Sequence, residues 1–410
     1  MAGNALTLTE TGLQGVEVAM QAVSDNLANA QTIGFHSESA DFATLLGEFI
    51  AGNALGGGVT ATGITRDLSE GAITQTNSPT DMAIQGNGYF VLTDSSGAQS
   101  YTRDGQTQVS VNGDLVGFNG DTIMGYSVNA AGQSSGVLAP IVIPQGVLAP
   151  TASTKTTISG NLNASSPVIA GPINPANPAT YSASVSVQVY DGLGNSHVLT
   201  YYFQNSGAGV APVAENWNWT ATLDGSVAGL ANNNGTIGFD VNGAIVSGAV
   251  PALPLTAVIP GAANLSLNLD FSGLTQFAGG TAASGSADGN AVGRPEGVQI
   301  GNNGIVAVSY SNGQTVNVAQ VAIATFPSEQ NLQLGNGVFT ATSASGPATI
   351  SAPGSGSAGT IQANALENSN VDTTSQLVNL VVLQRNYQAN AKALQTEDSI
   401  LGTIMQIQTQ

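Results

Sequence analysis

Apolar positions recur at intervals of seven near both ends of this chain, and the middle resembles neither end. Leu6, Leu13, Met20 and Leu27 form one row, and Thr9, Val16, Val23 and Ala30 form a second, three residues later. Residues 374–408 repeat the device with Leu380, Tyr387, Leu394 and Leu401, joined by Leu377, Ala391 and Met405. A heptad row is a narrow helical seam shaped to pack against another helix. The spacing predicts helices over 4–30 and 374–408. Between them, Gly-, Ser-, Asn- and Thr-rich alternation predicts strands and turns. A helix at each end of a β-rich body implies that the termini meet, and a seam left open to neighbouring copies builds a polymer.

Gly34 is placed to supply a left-handed stop after the first helix. Residues 35–50 read as a short helix or an ordered linker, and 51–65 as an extended or flexible Gly/Ala/Thr-rich linker. From 66 to 150, Asn112-Gly113 and Asn119-Gly120 sit between short apolar runs, a strong hairpin signal. Prolines crowd residues 140–180 and mark a boundary. A second β-unit follows, with Trp217 and Trp219 on one face of a strand, and hairpin patterns resume from 298 to 345. The predicted fold is mainly β with paired terminal α-helices, arranged as nested discontinuous domains. Segments 1–50 and 362–410 form a helical-coil inner domain, joined through a 51–65 linker. Segments 66–150 and 285–361 form a β-rich flanking domain, and 151–284 is an inserted outer β domain.

Charge narrows the function classes. Charged residues are 8% of the chain, with 25 acidic against 6 basic side chains and a net charge of −19. No basic patch exists, which argues against nucleic acid and anionic lipid as partners; the plain role of the acidity is solubility. With no Cys, disulfides and thiolate chemistry are excluded. The composition suits an extracellular bacterial protein. No Lys or Arg precedes Arg66 and no continuous apolar core lies in residues 1–30, so a cleaved secretory signal is not expected. Nothing approaches the ~20 apolar residues of a membrane span.

Candidate chemistry is sparse. His36 and His197 are far apart, and both read as surface or strand-end residues rather than ligands. The GSGSAG run at 354–359 follows Pro353 and reads as a flexible linker, not a dinucleotide loop. Asp288-Gly289-Asn290 reads as a turn. No enzyme activity, cofactor or metal is expected.

Three segments carry a family resemblance: TGLQGVEVAMQAVSDNLANAQTIGF; GAITQTNSPTDMAIQGNGYFVL with YTRDGQTQVSVNGDLVGFNGDTIMGY; and ALENSNVDTTSQLVNLVVLQRNYQANAKALQTEDSILGTIMQ. They resemble the bacterial flagellar axial rod/hook protein family. The middle motifs ISGNLNAS, VQVYDGLGNSHVLTYYF, LDFSGLTQF and GNNGIVAVSYSNGQTVNVAQVAIATF resemble its hook members. The family usually has Lys where His36 stands and Phe where Thr107 stands. The resemblance implies a structural subunit that polymerises into a hollow, curved, flexible tube and passes motor torque to the filament as a universal joint. It implies inner helices around a channel, then a flanking β-shell, then the inserted unit outermost. Implied partners are further copies of the chain, the rod, the hook cap, the hook–filament junction proteins and the type III export apparatus. Neither nucleic acid nor membrane insertion is implied. The implied location is the extracellular hook and basal body, reached without signal cleavage. Alternatives are a distal rod or junction protein, or an extracellular β-scaffold enzyme or carbohydrate-binding module.

For assembly, the seams point to Leu6, Leu13, Val16, Met20, Val23 and Leu27 on the first helix. On the last they point to Leu377, Leu380, Tyr387, Leu394, Leu401 and Met405. Glu10 and Glu17 are seven apart, as are Arg385 and Lys392, so each pair shares a helical face and the two faces form a candidate inter-helix charge match. A lone amphipathic helix of this length is marginal in water, so the termini are expected to order on assembly.

Overall fold

The computed structural model describes residues 2–50, 53–129 and 132–408, with side chains described except at 2–6, 45–50, 53–57, 401 and 404–408. Two helices bracket the chain: α1, Ala2–Ala28, and α2, Thr373–Gln408. The rest is mainly strand. The chain divides into two compact units. One holds residues 1–145, 297–308 and 316–410, and the other 146–296 and 309–315.

In the first unit, the incoming and outgoing chain are sewn together. Ile73–Gln75 pairs antiparallel with Ala365–Glu367, and Met82–Gln85 with Thr360–Ala363. These pairings bring α1 and α2 to the same side of the β-structure. Below them lies a core with Met82, Ile84, Phe90, Leu92, Leu115 and Ile123 fully buried. An aromatic cluster of Tyr89, Tyr101 and Phe326 adjoins it, with Tyr101 and Phe326 edge to face at 4.8 Å.

The Asn-Gly signals are realised as turns. Asn112-Gly113 joins strands Thr107–Val109 and Leu115–Gly117, and Asn119-Gly120 joins the latter to Thr122–Val128.

Residues 38–66 depart from expectation. Instead of a short helix or linker followed by a further linker, they form a long antiparallel hairpin, β1 (Glu38–Ile50) and β2 (Asn53–Arg66). The cause is α1, on which the hairpin packs. A Cβ at the buried Gly15 would stand 3.3 Å from the Phe42 ring and 3.4 Å from Val59. From the hairpin side, a Cβ at Gly58 would run into the Thr11 hydroxyl of α1, so a small residue of the expected linker lets a strand lie close on a helix.

In the second unit, two five-stranded sheets enclose one core. One has the order Leu230–Ala231, Leu255–Ala257, Leu265–Phe277, Lys155–Asn163, Ala282–Ala287. Its central pair, 155–163 with 265–277, is parallel. The other runs Ala183–Tyr190, Ser196–Ala208, Glu215–Leu223, Asn234–Phe239, Ile245–Ser247. Trp217 and Trp219 point inward together, with Tyr201, Phe203, Phe239 and Phe271. The Tyr201 hydroxyl meets Thr156 Oγ1 at 2.6 Å, so this phenol is not buried unpaired. His197 lies near the start of its strand, with Nδ1 2.8 Å from Asp224 Oδ2. Asp288-Gly289-Asn290, expected as a turn, is a bend after the strand Ala282–Ala287, and Asp288 ties it to a distant segment by accepting hydrogen bonds from the backbone of Thr154 and Lys155.

Candidate assembly interface

α1 and α2 lie against each other in opposite directions. Thr9 Oγ1 donates to Glu397 Oε2 at 3.4 Å, while three residues further along α1 a Cβ at Gly12 would stand 3.1 Å from Asn390 Nδ2. Glycine at position 12 lets the two backbones approach. The half-buried positions of α2 include Gln376, Leu380, Leu383, Asn390, Leu394 and Glu397, at steps of three, four and seven residues that hold one face toward a partner.

The predicted seam residues divide. On α1, Val23 is buried, and Leu13, Val16, Met20 and Leu27 are half-buried. On α2, Leu380 and Leu394 are half-buried, whereas Leu377 and Tyr387 are 49% and 45% exposed. The side chains of Leu6, Leu401 and Met405 lie outside the described residues. Leu377 instead continues into an exposed apolar stripe with Val378, Val381 and Val382. Sequence reading missed that stripe, although its steps of three and four residues were present beside the heptad row. Glu10, Glu17, Arg385 and Lys392 are all exposed, and among the described residues none forms an ion pair within the chain.

A buried polar clamp fixes both helices to the β-structure. Glu367 Oε1 meets His36 Nε2 at 3.2 Å and accepts from the Gly71 N–H at 3.0 Å, while Oε2 accepts from Arg103 at 3.2 Å. Burial pushes this carboxyl up; His36, Arg103 and the Gly71 N–H outweigh it and hold the group below the usual carboxylate range. Arg103 also donates to Gly86 O at 2.8 Å, and its guanidinium lies 5.4 Å from the centre of the Tyr89 ring. His36, expected at a surface or strand end, is therefore a buried joint residue, because the chain returns over it with Glu367. Gly34 has the predicted left-handed backbone (φ +68°), but its role is here: a Cβ would stand 2.6 Å from the Arg103 carbonyl carbon. Its N–H donates to Glu367 O at 2.8 Å.

Two asparagines complete the clamp. Buried Asn26, near the end of α1, donates to Glu38 O and accepts from Glu38 N, both at 2.7 Å. Asn370, just before α2, accepts from Ser37 N at 2.7 Å and donates to Asp67 O and Ser69 O. Glu38 in turn pairs with Arg66 at 3.0 Å, and Arg66 lies over Phe339. Apart from His36, sequence reading did not single out these side chains. For Arg66 and Arg103 the one early signal was that the chain has only 6 basic residues.

Among the described residues, no cluster of three or more His, Cys, Asp and Glu side chains is arranged to hold a metal ion. No described helix is long and apolar enough to cross a membrane.

Comparison with known proteins adds independent findings. Residues 83–161 match the family described as flagellar hook protein FlgE/F/G D1 domain. Residues 161–290 match the flagellar basal body protein FlaE D2 domain, and 362–407 the flagellar basal body rod FlgEFG protein C-terminal family. The chain is 34% identical to the flagellar hook protein FlgE of Escherichia coli K12, over 97% of this chain and 98% of that one. Against the flagellar hook protein FlgE of Salmonella typhimurium LT2, identity is 33% with the same coverage. Among solved structures, Helicobacter pylori flagellar hook protein FlgE2 shares the fold, with a TM-score of 0.52 at 15% identity over 72% of this chain and 100% of that one.

Proposed function

The chain belongs to the flagellar hook protein family, as a structural subunit of the bacterial flagellar hook that assembles with copies of itself, and from that premise we propose how it does so. In this reading the helices of successive copies pack around a central channel. The segments 66–150 and 285–361 form the next shell, and 151–284 the outermost. Identical subunits joined through faces that are not self-complementary give an open helical tube.

The stripe of Leu377, Val378, Val381 and Val382 carries the proposal. It leaves apolar side chains in water on a helix whose other face already has a partner within the chain. A second copy removes them from water at about 25 cal/mol per Å². The unpaired Glu10 and Glu17 on α1, and Arg385 and Lys392 on α2, then set register between copies through weak, salt-screened attraction. The described seam residues Leu13, Val16, Met20, Val23, Leu27, Leu380, Tyr387 and Leu394 tighten on the same packing.

Close-packed helices resist shear and carry torque. The charge-poor outer surface, rich in Ser, Thr, Asn and Gly, makes contacts that exchange between near-equivalent registers as the tube bends. The chain performs no catalytic step in this scheme. Rod, cap and junction proteins bound the tube, and the type III apparatus exports the chain without cleaving a signal.

Electron microscopy of the full chain under salting-out conditions tests the reading. Tubes are expected from the unaltered chain and from Val241→Glu, an exposed site in the second unit, but not from Val378→Glu/Val382→Glu. Tubes of the double variant at the unaltered critical concentration would remove the stripe from the interface.

A further inference from the structure

Eight Asn-Gly steps occur in the chain, at Asn87, Asn112, Asn119, Asn234, Asn242, Asn303, Asn312 and Asn336. Each is a potential site of self-modification, in which the glycine nitrogen attacks the asparagine side chain. The fold ranks them, because attack needs a glycine N–H free of other bonds and a carboxamide free to swing.

In five steps the glycine N–H is already used. Gly113, Gly120, Gly243, Gly304 and Gly313 each donate back across their own turn at 2.8–3.1 Å. Gly235 lies within a strand, opposite Trp219, and Gly88 is buried. Asn336-Gly337 alone forms the two-residue tip of a hairpin, closed by the pair Gly335 and Val338. Both tip residues are left-handed, at φ +52° and +78°, as a tight primed turn requires. Among the described residues, neither the Asn336 carboxamide nor the Gly337 N–H has a hydrogen-bond partner.

The arm that carries the tip opens easily. Its strands are three residues long, and Gln333–Gly335 is exposed throughout. It joins the larger sheet through the single pair Phe339 and Tyr101, with Phe339 further held under Arg66. The base is anchored and the tip is not.

We propose that Asn336 is a spontaneous deamidation site. The Gly337 nitrogen bonds to Cγ of Asn336, the Cγ–Nδ2 bond breaks, and ammonia leaves with the proton lost from the glycine nitrogen. Water then opens the five-membered imide at either carbonyl, giving aspartate or isoaspartate. Aspartate adds a negative charge on the rim of a groove of about 460 Å³ that Thr32, Asp104 and Phe118 also line. Isoaspartate inserts a main-chain carbon into a two-residue turn and shifts the strand register beside it.

Peptide mapping by mass spectrometry of the full chain, aged in mildly alkaline buffer, tests this. The Asn336 peptide should convert faster than each of the five turn-bonded steps by roughly fivefold or more, the population cost of first opening a turn hydrogen bond. Gly337→Ala should slow it, and in denaturant all eight steps should converge. Conversion of another Asn-Gly step first, or the same ranking in denaturant, overturns the proposal.

Discussion

Arg103 and Glu367 lie 264 residues apart in the chain and meet as an ion pair at 3.2 Å, with side chains 3% and 0% exposed. One carboxylate thus joins the segment after α1, a loop of the β-structure and the strand that leads into α2.

Removing one partner of such a pair strands the other charge away from water. Arg103→Leu is expected to lower stability by up to about 3–5 kcal/mol, the usual cost of breaking a buried pair, with His36 and the Gly71 N–H still on the carboxylate. Arg103→Leu/Glu367→Leu should recover a substantial part of that loss. Urea unfolding followed by circular dichroism measures both; equal losses in the single and double variants would contradict the assigned pairing.

Acid should loosen the second unit through Asp270. The Lys155 ammonium, 2.8 Å away, and then Ser272 hold its carboxyl at about 2, against an ordinary 3.8. A carboxyl depressed on folding adds stability that is present above its unfolded value and lost as pH falls through its folded one. The window therefore runs from about pH 4 down to about pH 2. Asp270→Asn should flatten the decline of unfolding midpoint across that window. Fluorescence of Trp217 and Trp219 reads this unit alone, since both tryptophans lie in its core.

The approach of Gly12 to Asn390 can be trapped covalently. The chain has no cysteine, so Gly12→Cys/Asn390→Cys introduces the sole thiols. Mild oxidation of dilute protein should give a crosslinked monomer with altered gel mobility. Crosslinked dimers in its place would mean that α1 and α2 pair between chains and not within one.

Charge reversal tests register between copies. Arg385→Glu/Lys392→Glu should raise the critical concentration for polymerisation, more so at low salt. Adding Glu10→Lys/Glu17→Lys should restore it. An unchanged critical concentration in the first variant would dissolve the match.

The helices and the Asn-Gly turns were legible because each is written in neighbouring residues: a seven-residue period, or two residues that accept a left-handed turn. The shared face of Trp217 and Trp219 followed from strand alternation in the same way. The clamp was not legible, since nothing near His36 in sequence announces Glu367. The β1–β2 hairpin was hidden for another reason: its small residues are poor strand formers, and it gains its place by packing on α1. On α2 the heptad row was visible, but which of its residues would face α1 depended on the roll of the helix, fixed by contacts such as Gly12 with Asn390.

The seam between Ile73–Gln85 and Thr360–Glu367 also sets a sequence in time. Its contacts span the chain, and Gly71 reaches Glu367 across 296 residues. Distant pairings carry a loop-closure cost that delays them, whereas the second unit draws nearly all its strands from one continuous stretch. That unit should fold early, and hydrogen-exchange labelling during refolding should protect Trp219 before Glu367; the opposite order would refute this. A newly made chain is thus a finished bead on two loose threads, and becomes a building block only when its last segment arrives to tie them.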